Sequence, residues 1–221
     1  MRIACAVACM MAMLGISTTT GAQVGVFSKD DLIAYTPEWK GERFPDGRPK
    51  VPDALLERLK HVSVTHAWSI LKGEGYPWQY EGSLIPINPG GVLVGRALTA
   101  VYMPRRPDVR GVMDSLGTLA GRTGDQIHWP IQALTKGDVY VADVFGKIED
   151  GPILGDNLAS SVYSRSKNGV VFDGSVRDLE GIRELKGFEG FIRGWAERAG
   201  SVAGFDEGRL AEGFFVVSIP V

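Results

Sequence analysis

Short hydrophobic runs recur along the middle of the chain, and their spacing predicts strands that alternate with helices. Three of these runs are apolar at both alternating sets of positions, which is typical of strands buried on two faces. The runs cover residues 92–102, 139–145 and 170–172. Between the second and third runs, Asp156 and Gly169 bracket a helix over residues 156–167 with apolar residues on one side. The order strand, helix, strand indicates an α/β fold.

Helical spacing also predicts one helix that runs from Asp53, a suitable N-cap, as far as Gly73. Its apolar face carries Leu55, Leu59, Val62, Ile70 and Leu71. His66 falls on that face, and we interpret it as a core residue rather than a ligand. The three histidines, His61, His66 and His128, show no ligand spacing with one another and receive no role.

The stretches around these elements predict loops and turns. Residues 75–91 are rich in Gly, Pro and aromatic residues and predict a long surface loop. Residues 174–176 predict a turn after the third strand. Asp178 is placed to cap a further short helix that ends near Gly187.

The N-terminus has the pattern of an export signal. Arg2 precedes the apolar run 3–16, which is too short for a bilayer, and Ala22 ends a small-x-small cleavage pattern. We therefore expect a cleaved leader rather than a membrane anchor or a buried helix, and an exported, periplasmic or secreted protein without a membrane span. The predicted plan is a leader at 1–22, an irregular N-terminal arm at 23–53, an α/β domain at 54–195 and a tail at 196–221.

Composition excludes several classes of protein. Both cysteines, Cys5 and Cys9, lie within the predicted leader, so the mature chain offers no disulfide, thiolate zinc site or cysteine nucleophile. Removal of Arg2 takes the net charge from −2 to −3, and basic residues form no sustained cluster, which argues against a nucleic-acid partner. Of the 221 residues, 44% are hydrophobic, which is enough for a core without a structural metal.

Two aspartates and an arginine fall where strands end and helices begin. Asp156 opens the helix after the second strand, and Arg177 and Asp178 follow the third. In parallel α/β layers such loops meet at one edge of the sheet, so these side chains are expected to converge on one small ligand. Alternatively, each aspartate serves only as an N-cap, but a cap does not account for Arg177. A guanidinium beside a carboxylate suits an anionic substrate together with a hard divalent cation.

The segment 169–182, which reads GVVFDGSVRDLEGI, resembles the signature of the RraA-like family. This family groups the regulator of ribonuclease E activity A with 4-hydroxy-4-methyl-2-oxoglutarate aldolases. Twenty residues separate Asp156 from Arg177, which is similar to the Asp-x20-Arg-Asp motif of the family's class II pyruvate aldolases. The segments GRALTAVY, ALTKGDVYVAD and GDNLA also resemble the family. The resemblance covers roughly residues 55–195 and implies the family's swivelling β/β/α type of α/β fold.

The resemblance also implies a role for each residue of this constellation. Asp178 binds Mg2+, or another divalent cation such as Mn2+, and Arg177 holds the carboxylate or keto oxygen of the substrate. Asp156 hydrogen-bonds a metal-bound water that relays a proton. Substrate binding is assisted at the start of the helix by Gly155, Asn157 and Leu158. The implied reaction is cleavage of a 4-hydroxy-2-oxo acid to pyruvate, or decarboxylation of oxaloacetate, in a homotrimer.

The chain departs from the family pattern after Trp195. Family members continue into a strand pair that ends in a Pro-Gly-Asp turn, and they supply an acidic residue to the neighbouring subunit's site. Neither Glu207 nor Glu212 aligns with that acid. Residues 214–221 form either a replacement strand or a poorly ordered tail. Two alternatives to a lyase therefore stay open: a non-catalytic regulatory or binding protein, and a truncated, inactive member of the family.

Overall fold

The computed structural model describes residues 25–104, 106–196 and 214–219, with the backbone alone described at 25–26 and 214–219. The predicted leader, Glu207 and Glu212 lie outside these residues. The described strands are β1 (Gly25–Val26), β2 (Ile85–Pro86), β3 (Arg96–Pro104), β4 (Asp138–Asp143), β5 (Val170–Val176), β6 (Gly190–Trp195) and β7 (Phe214–Ile219). The described helices are α1 (Lys29–Tyr35), α2 (Asp53–Leu59), α3 (Val64–Gly73), α4 (Pro107–Leu119), α5 (His128–Ala133), α6 (Asp156–Ser166) and α7 (Leu179–Glu184).

All of these strands join one sheet in the order β1-β7-β3-β4-β5-β6-β2. The central strands β3, β4, β5 and β6 are parallel to one another, whereas β2 and β7 pair antiparallel with β6 and β3. Helix α6 connects β4 to its parallel neighbour β5, so the predicted strand, helix, strand unit is confirmed. The α/β fold class is confirmed with it.

One face of the sheet carries the core. Tyr102, Tyr140 and Phe172 on adjacent strands are fully or almost fully buried. They pack in one cluster with apolar side chains from α5, α6 and α7, namely Ile131, Ala159, Val162, Leu179 and Ile182. On β3 the opposite face is half-buried at Thr99 and Val101, so the two-sided burial expected for this strand is wrong. The helices that supply this core cover one side of the strand.

Strand β5 is longer than its apolar pattern indicated, and the turn expected at residues 174–176 is part of it. A side chain at Gly174 would lie 2.7 Å from the Cβ of Val144, so glycine here serves close packing. Ser175 is fully buried and donates a hydrogen bond to the carbonyl oxygen of Ile148. These contacts hold Gly174 and Ser175 in the extended conformation, so the pair continues the strand and forms no turn.

The helix predicted from Asp53 to Gly73 is two helices, α2 and α3, because Ser63 starts a new helix by accepting a hydrogen bond from the N–H of His66. Pro52, not Asp53, occupies the N-cap of the first. The expected apolar face is exposed at Leu55, Leu59, Val62, Ile70 and Leu71. His66 is exposed too, so its interpretation as a core residue is wrong.

The N-terminal arm is more regular than expected. Helix α1 begins at a capping box in which the Ser28 hydroxyl accepts from the N–H of Asp31, and the Asp31 carboxylate accepts from Ser28. The arm is tied to the sheet by Arg48, whose Nη1 donates to the buried carboxylate of Asp138 at 3.1 Å. Ser28 and Asp31 are the local signal of α1 that was missed, whereas the ion pair joins residues 90 positions apart and has no local signal.

The long loop and the C-terminal segment agree with the expectations from the sequence. Residues 75–91 form the long, largely exposed loop that was predicted, with β2 as a two-residue strand inside it. The backbone of residues 214–219 forms β7, which favours the replacement strand over a poorly ordered tail. No helix within the described ranges is both long enough and apolar enough to span a membrane.

Candidate active site

The candidate residues lie at the carboxyl ends of the parallel strands β4 and β5. Leu154 pairs with Val176 in a parallel bridge, and the N–H of Arg177 donates to the carbonyl oxygen of Leu154 at 2.9 Å. This pairing brings the start of α6 beside the end of β5. The proximity on which the site prediction depends is therefore present, and the roles of the individual residues stay predictions.

Asp178 occupies the N-cap position of α7, but its side chain caps nothing. Its backbone is left-handed, with φ 54° and ψ 44°, and no capping hydrogen bond is formed. An aspartate adopts this conformation more readily than most residues, at a cost of about 1 kcal/mol. The carboxylate is about half exposed and lies 3.4 Å from Nε of Arg177. The alternative that Asp178 serves only as an N-cap therefore does not apply, because its side chain forms no capping hydrogen bond.

Asp156 is the first residue of α6 and not its N-cap, because Gly155 holds that position. The expected Asp N-cap is therefore wrong, whereas the helix ends as expected at Lys167, which is left-handed and lies two residues before Gly169. Oδ1 of Asp156 accepts a hydrogen bond from the N–H of Asn157 at 2.6 Å. The N–H of Asn157, which was predicted to bind the substrate, thus donates instead to Asp156, the predicted proton-relay residue.

Leu158 offers the next backbone donor of α6. Its N–H belongs to the first turn of the helix, where no intrahelical acceptor exists, and it has no acceptor within the described chain. Such unpaired donors at a helix start favour an anionic ligand. Asn157 and Leu158 therefore present one engaged and one open N–H group beside Arg177.

Two glycines allow close contacts at the site: Gly155 lets Asp178 approach the start of α6, and Gly181 lets Asp156 approach α7. A Cβ atom at Gly155 would lie 2.5 Å from Oδ2 of Asp178 and 3.0 Å from Nε of Arg177. A Cβ atom at Gly181 would lie 3.0 Å from Cβ of Asp156. Sequence reasoning missed Gly181, although a glycine inside a short helix is a signal of close packing.

The electrostatics of the site leave Arg177 available to a ligand. Its pair with Asp178 is partly exposed, with 29% and 46% of the two side chains accessible, and pairs of this kind hold weakly. Asp178 is the one side-chain partner of Arg177 in the described residues. The guanidinium therefore has N–H donors free for a carboxylate or a keto oxygen.

The donor set suits a hard cation that keeps most of its water. No group of three or more His, Cys, Asp or Glu residues in the described ranges could hold a metal ion. Mg2+ and Mn2+ prefer oxygen, and Mg2+ is commonly bound through one or two carboxylates together with water and substrate oxygens. The exposed carboxylate of Asp178 fits that mode of binding.

Solved structures with a similar fold support the assignment of the architecture. RraAS2 of Streptomyces coelicolor, described as an unusual member of the RNase ES inhibitor RraA family, aligns with a TM-score of 0.57 and 24% identity over 78% of this chain and 74% of its own. A protein described among novel cellulases from microbes of the gut ecosystem aligns with a TM-score of 0.52 and 15% identity over 86% and 73%. At these identities the likeness concerns the fold alone.

A family model gives the relationship directly. The model of the RraA-like family, described as Aldolase/RraA, matches residues 63–209. The matched segment includes the strands β3 to β6, the helix α6 and all six candidate residues, and it continues past Trp195. This chain therefore belongs to the RraA-like family.

Proposed function

We propose that this protein is a divalent-metal-dependent lyase that releases pyruvate from small 2-oxo acids. The substrates are 4-hydroxy-2-oxo acids, or oxaloacetate in a decarboxylation. The observation that carries the proposal is the arrangement of Arg177 and Asp178, whose side chains lie over Gly155 at the start of α6 and serve no cap. An anion-binding group and a cation-binding group are adjacent there, as a chelating 2-oxo acid requires.

Arg177 binds and orients the substrate. Its planar fork suits the carboxylate next to the keto group, and the open N–H of Leu158 adds a second donor from the helix start. Asp178 is the residue that would hold Mg2+ or Mn2+. When bound, the cation acts as a Lewis acid for the negative charge that develops on the 2-oxo oxygen.

Asp156 moves the proton through a water molecule. In both reactions the bond between C3 and C4 breaks and its electron pair stays on C3, which then takes up a proton to give pyruvate. In the aldol cleavage the 4-hydroxyl group loses its proton as C4 becomes a carbonyl, whereas oxaloacetate loses CO2. Oδ1 of Asp156 leaves the N–H of Asn157 to hold this water, and the same movement frees that N–H for the substrate.

Pyruvate formation tests the proposal. Purified protein is incubated with oxaloacetate and Mg2+, and the rate without protein is subtracted because the metal alone decarboxylates oxaloacetate. Arg177→Ala is expected to lower kcat/KM at least about 100-fold, and chelation is expected to remove the activity. Arg165→Ala, at an exposed position in the last turn of α6, is the matched control. Activity that survives Arg177→Ala or full chelation would overturn the proposal.

The second candidate is a non-catalytic regulatory or binding protein, and a truncated, inactive member is the third. The observation that favours both is that the described residues bring no third acidic group to Asp156 and Asp178. RraAS2, which has a similar fold, is described as an unusual member of a family of RNase ES inhibitors. Binding of oxalate and Mg2+ without turnover of either substrate class would support a non-catalytic protein. Absence of both binding and turnover would support an inactive one.

A further inference from the structure

A cavity of about 650 Å3 lies between the N-terminal arm and the amino-terminal ends of β3 and β4. It is lined among others by Trp39, Phe44, Pro52, Arg96 and Lys136. Because the candidate active site lies at the carboxyl ends of β4 and β5, this cavity is at the opposite edge of the sheet. Its volume falls within the range of small-molecule sites in proteins.

Aromatic rings that are fixed in place form two of its walls. The indole of Trp39 lies over Gly41, where a Cβ atom would be 2.7 Å from the ring, and its Nε1 donates to the carbonyl oxygen of Glu42 at 2.7 Å. The Phe44 ring has the guanidinium groups of Arg48 and Arg96 at 5.3 Å from its centroid. Because these rings are already held in place, little side-chain entropy is lost when a flat ligand packs against them.

The arm that carries these rings is anchored rather than loosely attached. Arg96 donates to the carboxylates of Asp53 and Asp138 and to the carbonyl oxygens of Val51 and Lys136. The carboxylate of Asp138 is fully buried, which makes these contacts costly to break. The cavity is therefore formed before any ligand arrives.

The charges at the cavity leave one cation without a partner. Glu42 is paired with Lys50 at 3.1 Å, and Asp53 with Arg96 at 3.0 Å. The exposed ammonium group of Lys136 has no hydrogen-bonding or ion-pair partner in the described part of the chain. Lys136 also lines an adjoining cavity of about 340 Å3 beside α2. Among the charged residues that line the cavity of 650 Å3, the one without an opposite charge is therefore positive.

We propose that this cavity binds a small planar carboxylate, such as an aryl carboxylate. The flat apolar part of the ligand packs against Trp39 and Phe44, and its carboxylate pairs with Lys136. The site is separate from the candidate active site and does not depend on the lyase activity. With this site the protein would bind an aromatic acid at one edge of the sheet and a 2-oxo acid at the opposite edge.

Benzoate is the probe that tests this site, with benzamide as its neutral counterpart of the same shape. Titrations by calorimetry and by ligand-observed NMR are expected to give a dissociation constant for benzoate of about 1 mM or below. Benzamide is expected to bind about fivefold to tenfold more weakly. Equal binding of the two compounds, or no binding of benzoate, would overturn the proposal.

Variants locate the binding. Lys136→Met is expected to weaken benzoate binding about fivefold to tenfold, and Trp39→Leu to weaken benzoate and benzamide alike. Lys72→Met is the matched control, because Lys72 lies 5.4 Å from the Trp68 ring at another aromatic surface. Arg177→Ala is expected to leave benzoate binding unchanged, which separates this site from the candidate active site. Loss of binding in Lys72→Met or Arg177→Ala, with Lys136→Met unaffected, would refute the assignment.

Discussion

Oδ2 of Asp178 lies 2.5 Å from the point where a side chain at Gly155 would begin. The carboxylate thus sits directly against the backbone that starts α6, together with the guanidinium of Arg177. A residue with any side chain at this position would force both groups away. The glycine therefore fixes how closely a cation-binding carboxylate and the helix start can approach one ligand.

The substitution Gly155→Ala is predicted to abolish most of the lyase activity while the protein stays folded. Its backbone, with φ −110°, is open to alanine, so the effect is the displacement of Asp178 and Arg177. We expect kcat/KM for oxaloacetate to fall at least about 10-fold, since small misplacements of catalytic groups are costly. The matched control is Gly111→Ala in α4, where a new Cβ meets nothing within 4 Å. Full activity of Gly155→Ala would show that this close approach is unimportant.

Gly181→Ala is predicted to separate activity from stability. Alanine favours the helix α7 by about 1 kcal/mol, but its Cβ would lie 3.0 Å from Cβ of Asp156. Asp156 must then shift, so kcat is expected to fall while the free energy of unfolding changes little. Urea unfolding and steady-state kinetics on the same preparation measure both. A large loss of stability would mean that the glycine serves packing rather than the position of Asp156.

The buried ion pair between Arg48 and Asp138 is predicted to anchor the N-terminal arm. The Asp138 carboxylate is fully buried and also accepts from Thr135 and Arg96. Arg48→Met removes one charged donor from a buried carboxylate that keeps Arg96 and Thr135, so it is expected to cost about 1.5–3 kcal/mol of unfolding free energy. Measurement by urea unfolding should show a loss of less than about 1 kcal/mol for the control Lys60→Met, which breaks an exposed pair. Similar losses in the two variants would contradict the anchoring role.

The buried hydroxyl groups of Tyr102 and Tyr140, 2.5 Å apart, are predicted to make stability fall in alkaline solution. Burial raises the pKa of Tyr102 and raises the pKa of Tyr140 well above its usual value. Both groups stay protonated in the folded chain when the unfolded chain begins to ionise near its ordinary pKa of about 10. Their contribution is thus complete below about pH 10 and is lost progressively as the pH rises from there toward the raised pKa values of the folded chain. The fall between pH 9 and 11 should be smaller in the double variant Tyr102→Phe/Tyr140→Phe, and an unchanged fall would exclude this origin.

How far the sequence predicts this structure depends on whether a signal is local. The segment 156–167 was placed within one residue of the observed helix α6, because its apolar periodicity is a local signal. The sequence predicted that β5 ends at residue 172 and that residues 174–176 turn. This part was wrong because the contacts that keep Gly174 and Ser175 extended come from distant segments. Helical spacing correctly indicated helix over much of 53–73, but the prediction missed the new start at Ser63 and placed an exposed face in the core.

The same distinction applies to the candidate site. The positions of Asp156, Arg177 and Asp178 at one sheet edge follow from parallel strand order, which the sequence pattern indicates. The left-handed backbone of Asp178, the hydrogen bond from Asn157 to Asp156 and the approach to Gly181 were not foreseen. The approach of Gly181 to Asp156 is a contact between α6 and α7, which are separated in the sequence, so no local pattern encodes it.

The most direct test of the account is to locate the cation and the anion together. Crystals of the protein soaked with Mn2+ and oxalate, a planar dianion that resembles the product enolate, would show the metal by its anomalous scattering. The account predicts one Mn2+ coordinated by the carboxylate of Asp178, with oxalate bridging to the guanidinium of Arg177. Mn2+ and oxalate bound away from this edge of the sheet, or absent from it at saturating concentration, would contradict the account.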